Sequence, residues 1–321
     1  MDGTPGSGTV IIGWTNITDC IYAKGYLGLS YDSSESSYIE VAKGKAFMVV
    51  VGDETILVNG QFSNLSAIKD KTLQPVTKTY IQTNLGGADK DGSEDWPYVI
   101  STLEGWNAFC IAMEDDDWNN FEGKIIQLGA DIVETPVTRM AGSENQNHPF
   151  RGTFDGQNKT LYVKYGNSVD DYLMQDNAAP FAYVGNGCVI KNLHTTGSIY
   201  TIRNRAAGIV AMQNGGSTVT ISNCSSNVYI LSIGGENDGP RCHGGLVAYQ
   251  ENSDNTILTI DNCKFYGKIC STGSPYTTGC GGLVGFKGDA STLTIKNCLY
   301  APAALSEGET EPSEGCATLA R

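Results

Sequence analysis

A short glycine-led segment that recurs at constant spacing constrains the fold of this 321-residue chain more than any other feature. Gly208, Gly245 and Gly282 are 37 residues apart each time, and each opens an apolar run ending in Ala or Gly. A second apolar segment follows each run and ends at an asparagine, and a weaker copy of the whole unit begins near residue 178. A fixed period of this length is typical of solenoids, in which each repeat buries its apolar face only against its neighbours.

The alternation of apolar residues indicates how the copies stack. Within the third copy, Leu258 and Ile260 take the inward phase of a strand and Thr259 the outward phase. After Asn262 the alternation slips by one residue, so that Cys263 and Phe265 become the inward positions. A turn at the asparagine explains the slip, because Asn tolerates the left-handed backbone conformation. We therefore expect parallel stacking of copies with one asparagine corner in each.

The residues at and after these corners form two predicted columns. We expect a buried ladder of amides bridging adjacent coils, made of Asn192, Asn223, Asn262 and Asn297. Beside it we expect an inward column made of Leu193, Cys224, Cys263 and Cys298. A leucine in the same slot favours thiols that pack as small apolar side chains over metal ligands. The sequence leaves disulfide pairing open, with Cys242 and Cys280 as the better candidates because they lie out of phase with this column.

The repeats resemble the GLUG-motif repeats of bacterial surface proteins. The resemblance rests on two motifs within the repeats, Gly-Gly-Leu-Val-Gly/Ala and Ile-x-Asn-Cys. It also rests on an upstream stretch that contains Trp106-Asn-Ala-Phe109 and Pro149-Phe-Arg-Gly-Thr-Phe-Asp-Gly156. Together these segments span roughly residues 98–300. The first copy departs from the motif, with Pro180-Phe181 and Leu193 in place of Gly-Gly and Cys. The resemblance implies a right-handed parallel β-helix in a secreted or cell-surface, adhesin-like protein, and it supplies no catalytic residues.

The whole chain is expected to divide into three parts. Residues 1–88 contain Val-, Ile- and Tyr-rich segments broken by turn residues, which predicts a small antiparallel β-sandwich or sheet domain. A helix capped by Ser101 or Thr102 opens the repeat domain of residues 89–304, with Trp106 and Phe109 on its apolar face. The fold class is thus mostly β, with one N-terminal capping helix. Residues 305–321 are polar and are expected to be a mobile tail or a truncated continuation of the repeats.

Charge and composition exclude several classes of function. The formal net charge is −14, which argues against a nucleic-acid binder, and no apolar run approaches the length of a membrane-spanning helix. No leader is visible, so the chain is either cytoplasmic or mature after leader removal, and its composition favours a secreted or cell-surface protein. We expect no metal or cofactor, with a Ca²⁺ site around Glu236–Asp238 as the alternative.

The outward positions after the corners supply the candidate binding residues. Tyr200, Tyr229 and Tyr266 fall on a diagonal across one sheet face, named here the tyrosine diagonal, unless a loop or the N-terminal domain covers it. Arg205 and His243 precede successive glycine hinges and are expected to be near neighbours. Exposed aromatic rings on a rigid sheet favour a non-enzymatic adhesion module that binds a glycan or a host or surface protein. The alternatives are a polysaccharide lyase or glycoside hydrolase on the same scaffold and a purely structural stalk.

Overall fold

The structure is a computed structural model in which two compact units, Met1–Ile81 and Gln82–Arg321, are distinguished by their internal contacts. In the first unit and the helix that follows it, the structure describes residues 29–31, 39–41, 47–51, 54–58, 61–62, 72–75 and 77 onwards. Beyond that point it describes residues up to 142, and then 147–173, 175–202, 205–233, 242–272, 279–310 and 319–320.

The described part of the first unit consists of antiparallel strands. They are β1 (Leu29–Tyr31), β2 (Ile39–Val41), β3 (Phe47–Val51), β4 (Glu54–Val58), β5 (Gln61–Phe62) and β6 (Thr72–Pro75). Strands β1, β2 and β5 form one three-stranded sheet in that order, and β4, β3 and β6 form another. A small antiparallel β domain is therefore present, as the turn-broken apolar segments predict.

The second unit is a parallel β-solenoid of about four turns. Its helical segments are α1 (Lys78–Asn84), which begins in the first unit, α2 (Leu103–Ala112) and the 3₁₀ turn η1 (Asp116–Phe121). Its strands before the repeats are β7 (Tyr98–Ile100), β8 (Ile125–Leu128), β9 (Ile132–Val137), β10 (Thr153–Tyr165), β11 (Asn177–Ala178), β12 (Phe181–Val184) and β13 (Val189–Thr201). The strands that follow are β14 (Arg205–Ala207), β15 (Val210–Gln213), β16 (Thr218–Ser222), β17 (Ser225–Ile233), β18 (Cys242–Gly244), β19 (Val247–Gln250), β20 (Ile257–Asp261), β21 (Lys264–Phe265), β22 (Lys268–Thr272), β23 (Gly279–Gly281), β24 (Val284–Lys287), β25 (Thr292–Lys296) and β26 (Leu299–Tyr300).

A full coil has four strand positions, where the sequence pattern indicated two; β13 fills the third and fourth positions without a break, and β21 and β22 together fill the fourth position of a later coil. The coil formed by β14 to β17 shows the order: a short strand, a glycine hinge, a second strand, a loop, a third strand and, after the asparagine corner, a fourth. Equivalent strands pair in parallel, giving four-stranded sheets β11-β14-β18-β23 and β12-β15-β19-β24 and one twelve-stranded sheet. The hinge requires glycine because a Cβ at Gly245 would collide with the carbonyl oxygen of Gly282 and the ring of Phe265.

In-register apolar columns make up the core of the solenoid. Ile190, Ile221 and Ile260 stand opposite one another in successive strands and are fully buried. Leu258 is also fully buried whereas Thr259, between it and Ile260, is half-buried, so the predicted inward and outward phases are confirmed. Full burial of one such aliphatic side chain contributes roughly 1.5–3 kcal/mol, and the contribution recurs with each coil.

Helix α2 closes the N-terminal end of the solenoid, as predicted. Thr102 caps it, with its Oγ1 accepting a hydrogen bond from the Gly105 N–H at 3.1 Å. Trp106 and Phe109 are fully buried, and both lie within about 6 Å, centroid to centroid, of the Phe154 ring of β10. These ring contacts shield the end of the apolar columns from water. The shorter helix α1 was not predicted, since its Thr-rich sequence has low helix propensity.

The C-terminal residues are attached to the solenoid. The Leu283 N–H donates to the Leu319 carbonyl at 2.9 Å, and the Leu246 N–H donates to the Leu283 carbonyl at 3.0 Å in the same way. Leu319 thus occupies the position that Leu283 holds one coil earlier. Residues 305–310, named here the strap, are joined to β22 by an antiparallel bridge between Thr310 and Ser271. At Leu319 the chain thus continues the pairing pattern of the repeats, which agrees with one of the two expectations for residues 305–321.

Candidate functional site

The four predicted corner asparagines all adopt the left-handed conformation. Their φ angles are 53° at Asn192, 54° at Asn223, 51° at Asn262 and 56° at Asn297. Asparagine tolerates this region better than other non-glycine residues, because its short amide can hydrogen-bond nearby backbone groups. The corner in each coil explains the one-residue slip of the inward phase that follows it.

Three of the corner amides form a continuous hydrogen-bonded ladder across the coils. The Asn262 Nδ2 donates to Asn223 Oδ1 at 2.8 Å, and the Asn223 Nδ2 donates to Asn192 Oδ1 at 3.3 Å. The Asn192 Nδ2 continues the ladder to Asp155 Oδ1 at 2.9 Å. Asn297 leaves this pattern and donates to Asp261 Oδ1 at 3.0 Å.

The ladder lies at the surface, so the expectation of a buried ladder is wrong. Asn192 is half-buried, whereas Asn223, Asn262 and Asn297 are exposed. The reason is geometric: the inward position next to each corner belongs to the following residue, which is Leu193 or a cysteine. The amides point outward, where they line a groove described below.

The carboxylate at the start of the ladder is held ionised. Burial acts to raise the pKa of Asp155, but hydrogen bonds from the Asn192 amide and the Gln157 N–H, together with the Lys191 ammonium at 3.4 Å, leave it below its usual range. The pKa of Asp261 is also lowered, first by the hydrogen bond from Asn297. Both carboxylates are therefore negatively charged at neutral pH and are tied to neighbouring donors.

The cysteine column is inward, and its thiols take part in hydrogen bonds as well as in packing. Cys224 and Cys263 are buried and Cys298 is half-buried. The backbone N–H of Cys224 donates to Cys263 Sγ, and that of Cys263 donates to Cys298 Sγ, both at 3.4 Å. Each of these two sulfurs thus accepts a hydrogen bond from the backbone N–H that follows the corner of the preceding coil. Leu193, at the equivalent position, has no acceptor atom in its side chain. Burial raises the pKa of the Cys224 thiol, which keeps it protonated.

No disulfide joins the cysteines in the described part of the chain. Cys242 and Cys280, which the sequence favoured as disulfide candidates, are therefore not joined to each other. The strand register explains why: Cys242 stands opposite Gly279, and Cys280 stands opposite His243. Residues offset by one position along paired strands direct their side chains to opposite faces of the sheet.

An open groove with a volume of about 410 Å³ runs beside the asparagine ladder. We name it the corner groove, and it is lined by Asn158, Asn192, His194, Asn223, Cys224, Ser225, Asn262, Lys264 and Tyr266. Asn158 was not among the predicted corner residues, although its φ of 58° gives it the same left-handed conformation. Its position 34 residues before Asn192 was the sequence signal that could have identified it.

One wall of the groove is a column of polar side chains that follow the corners. His194 stands opposite Ser225, which in turn stands opposite Lys264. His194 Nδ1 and Ser225 Oγ share a hydrogen bond of 2.7 Å. Tyr266, two residues after Lys264 on the same face, is 41% exposed. The groove therefore combines amides, a hydroxyl, an imidazole, an ammonium and an accessible aromatic ring.

The structure separates the tyrosine diagonal into two parts. The rings of Tyr200 and Tyr229 are 5.7 Å apart in an edge-to-face arrangement, and only Tyr266 belongs to the corner groove. The strap covers Tyr229, whose hydroxyl donates to Glu309 Oε1 at 3.0 Å. The Tyr229 hydroxyl is thus engaged by the strap, and its ring is half-buried.

The strap is held chiefly through one carboxylate. Glu309 Oε2 accepts from the Lys268 ammonium at 2.7 Å and from the Ser306 N–H at 2.6 Å. These contacts, the Lys268 hydrogen bond first, lower the pKa of Glu309 to about 2. The Lys268 ammonium also lies 5.4 Å from the centroid of the Tyr229 ring. This charged cluster joins the strap to the face of the sheet.

Arg205 and His243 do not form a shared site. Arg205 stands opposite Cys242, whereas His243 stands opposite Ala206, so the two side chains take opposite phases of the sheet. The Arg205 guanidinium lies 4.4 Å from the centroid of the Tyr249 ring, and His243 is fully buried. The expectation that they are near neighbours is corrected accordingly.

The described residues contain neither a metal-binding cluster nor a membrane-spanning helix. In the described ranges, no three His, Cys, Asp or Glu side chains are arranged to hold a metal ion. The candidate Ca²⁺ residues Glu236–Asp238 lie outside those ranges. None of the helices in the described part of the chain has the length and apolar character needed to cross a bilayer.

Comparison with known proteins assigns no function to this chain. No protein-family model matches the chain, and no curated protein matches it. Among solved structures, it is similar to a crystal structure described as a "putative immunoglobulin A1 protease from Bacteroides ovatus". The sequence identity is 16%, the TM-score is 0.38, and the match covers 74% of this chain and 88% of that one.

Proposed function

We propose that this chain is a non-enzymatic glycan-binding module of a secreted or cell-surface protein, and that the corner groove is its binding site. The observation that carries the proposal is the position of Tyr266, an accessible ring at one side of a groove otherwise lined by hydrogen-bonding side chains. An aromatic face packs against the C–H face of a sugar, while amides and hydroxyls bind its hydroxyl groups.

The shape and polarity of the groove favour a glycan over a protein partner. Stable protein interfaces bury about 800 Å² on each side and have an apolar centre. The corner groove has a volume of about 410 Å³, and most of its lining residues carry amide, hydroxyl or charged groups. The surface location is supported by the resemblance of the repeats to those of bacterial surface proteins, and the adhesive role follows from a rigid platform that displays a binding site.

Substitution of Tyr266 tests the proposal. Binding of the purified protein to an array of bacterial, plant and host glycans is measured first, and hits are then titrated by calorimetry. Tyr266→Ala should weaken binding about tenfold or more, whereas Tyr266→Phe should retain it because the ring face remains. Tyr249→Ala, on a different sheet of the solenoid, is the matched control. The proposal is refuted if no glycan binds, or if Tyr266→Ala binds as well as the control.

A polysaccharide lyase is the second candidate, and the His194 column supports it. A lyase needs a base to remove the proton beside a uronate carboxyl group and cationic or amide groups to stabilise the resulting charge. His194, Lys264 and the corner amides supply these types of group in one groove. A glycoside hydrolase lacks support, because no carboxylate is among the described residues that line the groove. Formation of unsaturated uronate products, lost in His194→Gln, would favour the lyase and overturn the non-enzymatic proposal.

A further inference from the structure

The charge of the corner groove differs in sign from that of the protein. The chain has 35 Asp and Glu against 21 Lys and Arg. Among the residues that the structure describes, none of those lining the groove is an Asp or Glu, and the charged group present is Lys264. We propose that the corner groove selects oligosaccharides that carry carboxylate groups. This inference rests on the proposed glycan-binding function and specifies its ligand class.

The pairing of lysines on the sheet supports this selectivity. Three other lysines are each paired with a carboxylate: Lys191 with Asp155 at 3.4 Å, Lys268 with Glu309 at 2.7 Å and Lys296 with Asp261 at 3.1 Å. Within the described ranges, Lys264 has no carboxylate within ion-pair distance and is exposed. Its ammonium is therefore available to a ligand anion, and it stands at the groove where a ligand would lie.

The ladder leaves hydrogen-bonding capacity for such a ligand. The Asn223 amide uses one N–H toward Asn192 and one oxygen lone pair toward Asn262. A primary amide has two N–H donors and two lone pairs, so each ladder amide retains at least one of each. Because these amides are fixed in place by their neighbours, a ligand that binds them loses little additional side-chain entropy.

The repeat of the protein matches the repeat of a linear oligosaccharide. Adjacent parallel strands are about 4.8 Å apart, which is close to the length that one pyranose adds to an extended chain. The corners of Asn192, Asn223 and Asn262 lie on successive coils. An oligosaccharide running across the strands would therefore place about one sugar at each corner, with a carboxylate near Lys264.

Charge-masked ligands test the inference directly. The probes are oligogalacturonate, oligomannuronate and hyaluronan oligosaccharides, each compared with its own methyl ester, which keeps the sugar and removes the charge. Calorimetric titration of the full chain at low salt should show about tenfold tighter binding of at least one acid than of its ester. The preference should shrink as salt is raised, because exposed charges are screened.

Two lysine variants separate the groove from the general charge of the protein. Lys264→Gln should remove the preference for the acid while keeping the weaker binding of the ester. Lys296→Gln, which removes a lysine already paired with Asp261, should leave the preference unchanged. Equal binding of acid and ester, still lost in Tyr266→Ala, would overturn the inference and leave the proposed function intact. Absence of binding to every acidic and neutral glycan would refute both.

Discussion

Replacement of Asn262 provides a quantitative test of the asparagine corners. The residue has a φ of 51° and donates one hydrogen bond of 2.8 Å to Asn223. For alanine the left-handed conformation costs about 1–2 kcal/mol, and loss of a hydrogen bond at an exposed site costs about 0.5–1 kcal/mol. Asn262→Ala should therefore reduce the free energy of unfolding by about 2 kcal/mol. Asn262→Gly, which adopts this φ freely, should cost about 1 kcal/mol or less.

Urea titration followed by the fluorescence of the buried Trp106 measures these changes in the solenoid. Asn227→Ala is the matched control, because Asn227 is an exposed asparagine in β17 that does not have a positive φ. The control should change the midpoint little. If Asn262→Gly were as destabilising as Asn262→Ala, or if neither differed from the control, the strained corner would not be what selects asparagine.

Three further predictions concern the thiols, the strap and the core. A thiol reagent should label half-buried Cys298 before fully buried Cys263, because burial denies the reagent access to Cys263 even though the hydrogen bond with Cys224 lowers the pKa of its thiol; mass spectrometry reads the order, and the reverse order would contradict the column. Glu309→Gln should speed amide exchange in the strap. In the wild type, the contacts made in the folded state lower the pKa of Glu309 from 4.5 to about 2. The Glu309 carboxylate therefore stabilises the folded strap fully above pH 4.5, and this stabilisation is lost as the pH falls toward 2. Ile260→Ala should cost about 2–5 kcal/mol in urea unfolding, and Ile257→Ala, at a 38% exposed position of the same strand, much less.

The sequence was informative where a local requirement repeats. The constant spacing of the glycines predicted a solenoid, and at Gly208 and Gly245 the close approach of the next coil explains why glycine recurs. The phase slip at Asn262 predicted a corner because few residues accept a positive φ. The direction of the corner amides could not be predicted in the same way. It depends on how the following residue fills the inward position, which is a property of the folded coil.

The features that the sequence did not reveal depend on contacts between distant residues. Glu309 reaches Tyr229, 80 residues earlier, and no local pattern links the two. The hydrogen bond between His194 and Ser225 depends on strand register, which a loop of different length would shift. Arg205 and His243 show the same dependence, since a one-residue offset in register places them on opposite faces.

The side-chain amide signals of the corner asparagines provide the most direct test of the corner groove. In a two-dimensional NMR titration with oligogalacturonate, the Nδ2 resonances of Asn192, Asn223 and Asn262 should shift together and saturate with one dissociation constant. The amide of Asn177, in strand β11 of a different sheet, should not move. Shifts confined to residues outside the corner groove, under conditions where the glycan binds, would contradict the assignment of the site.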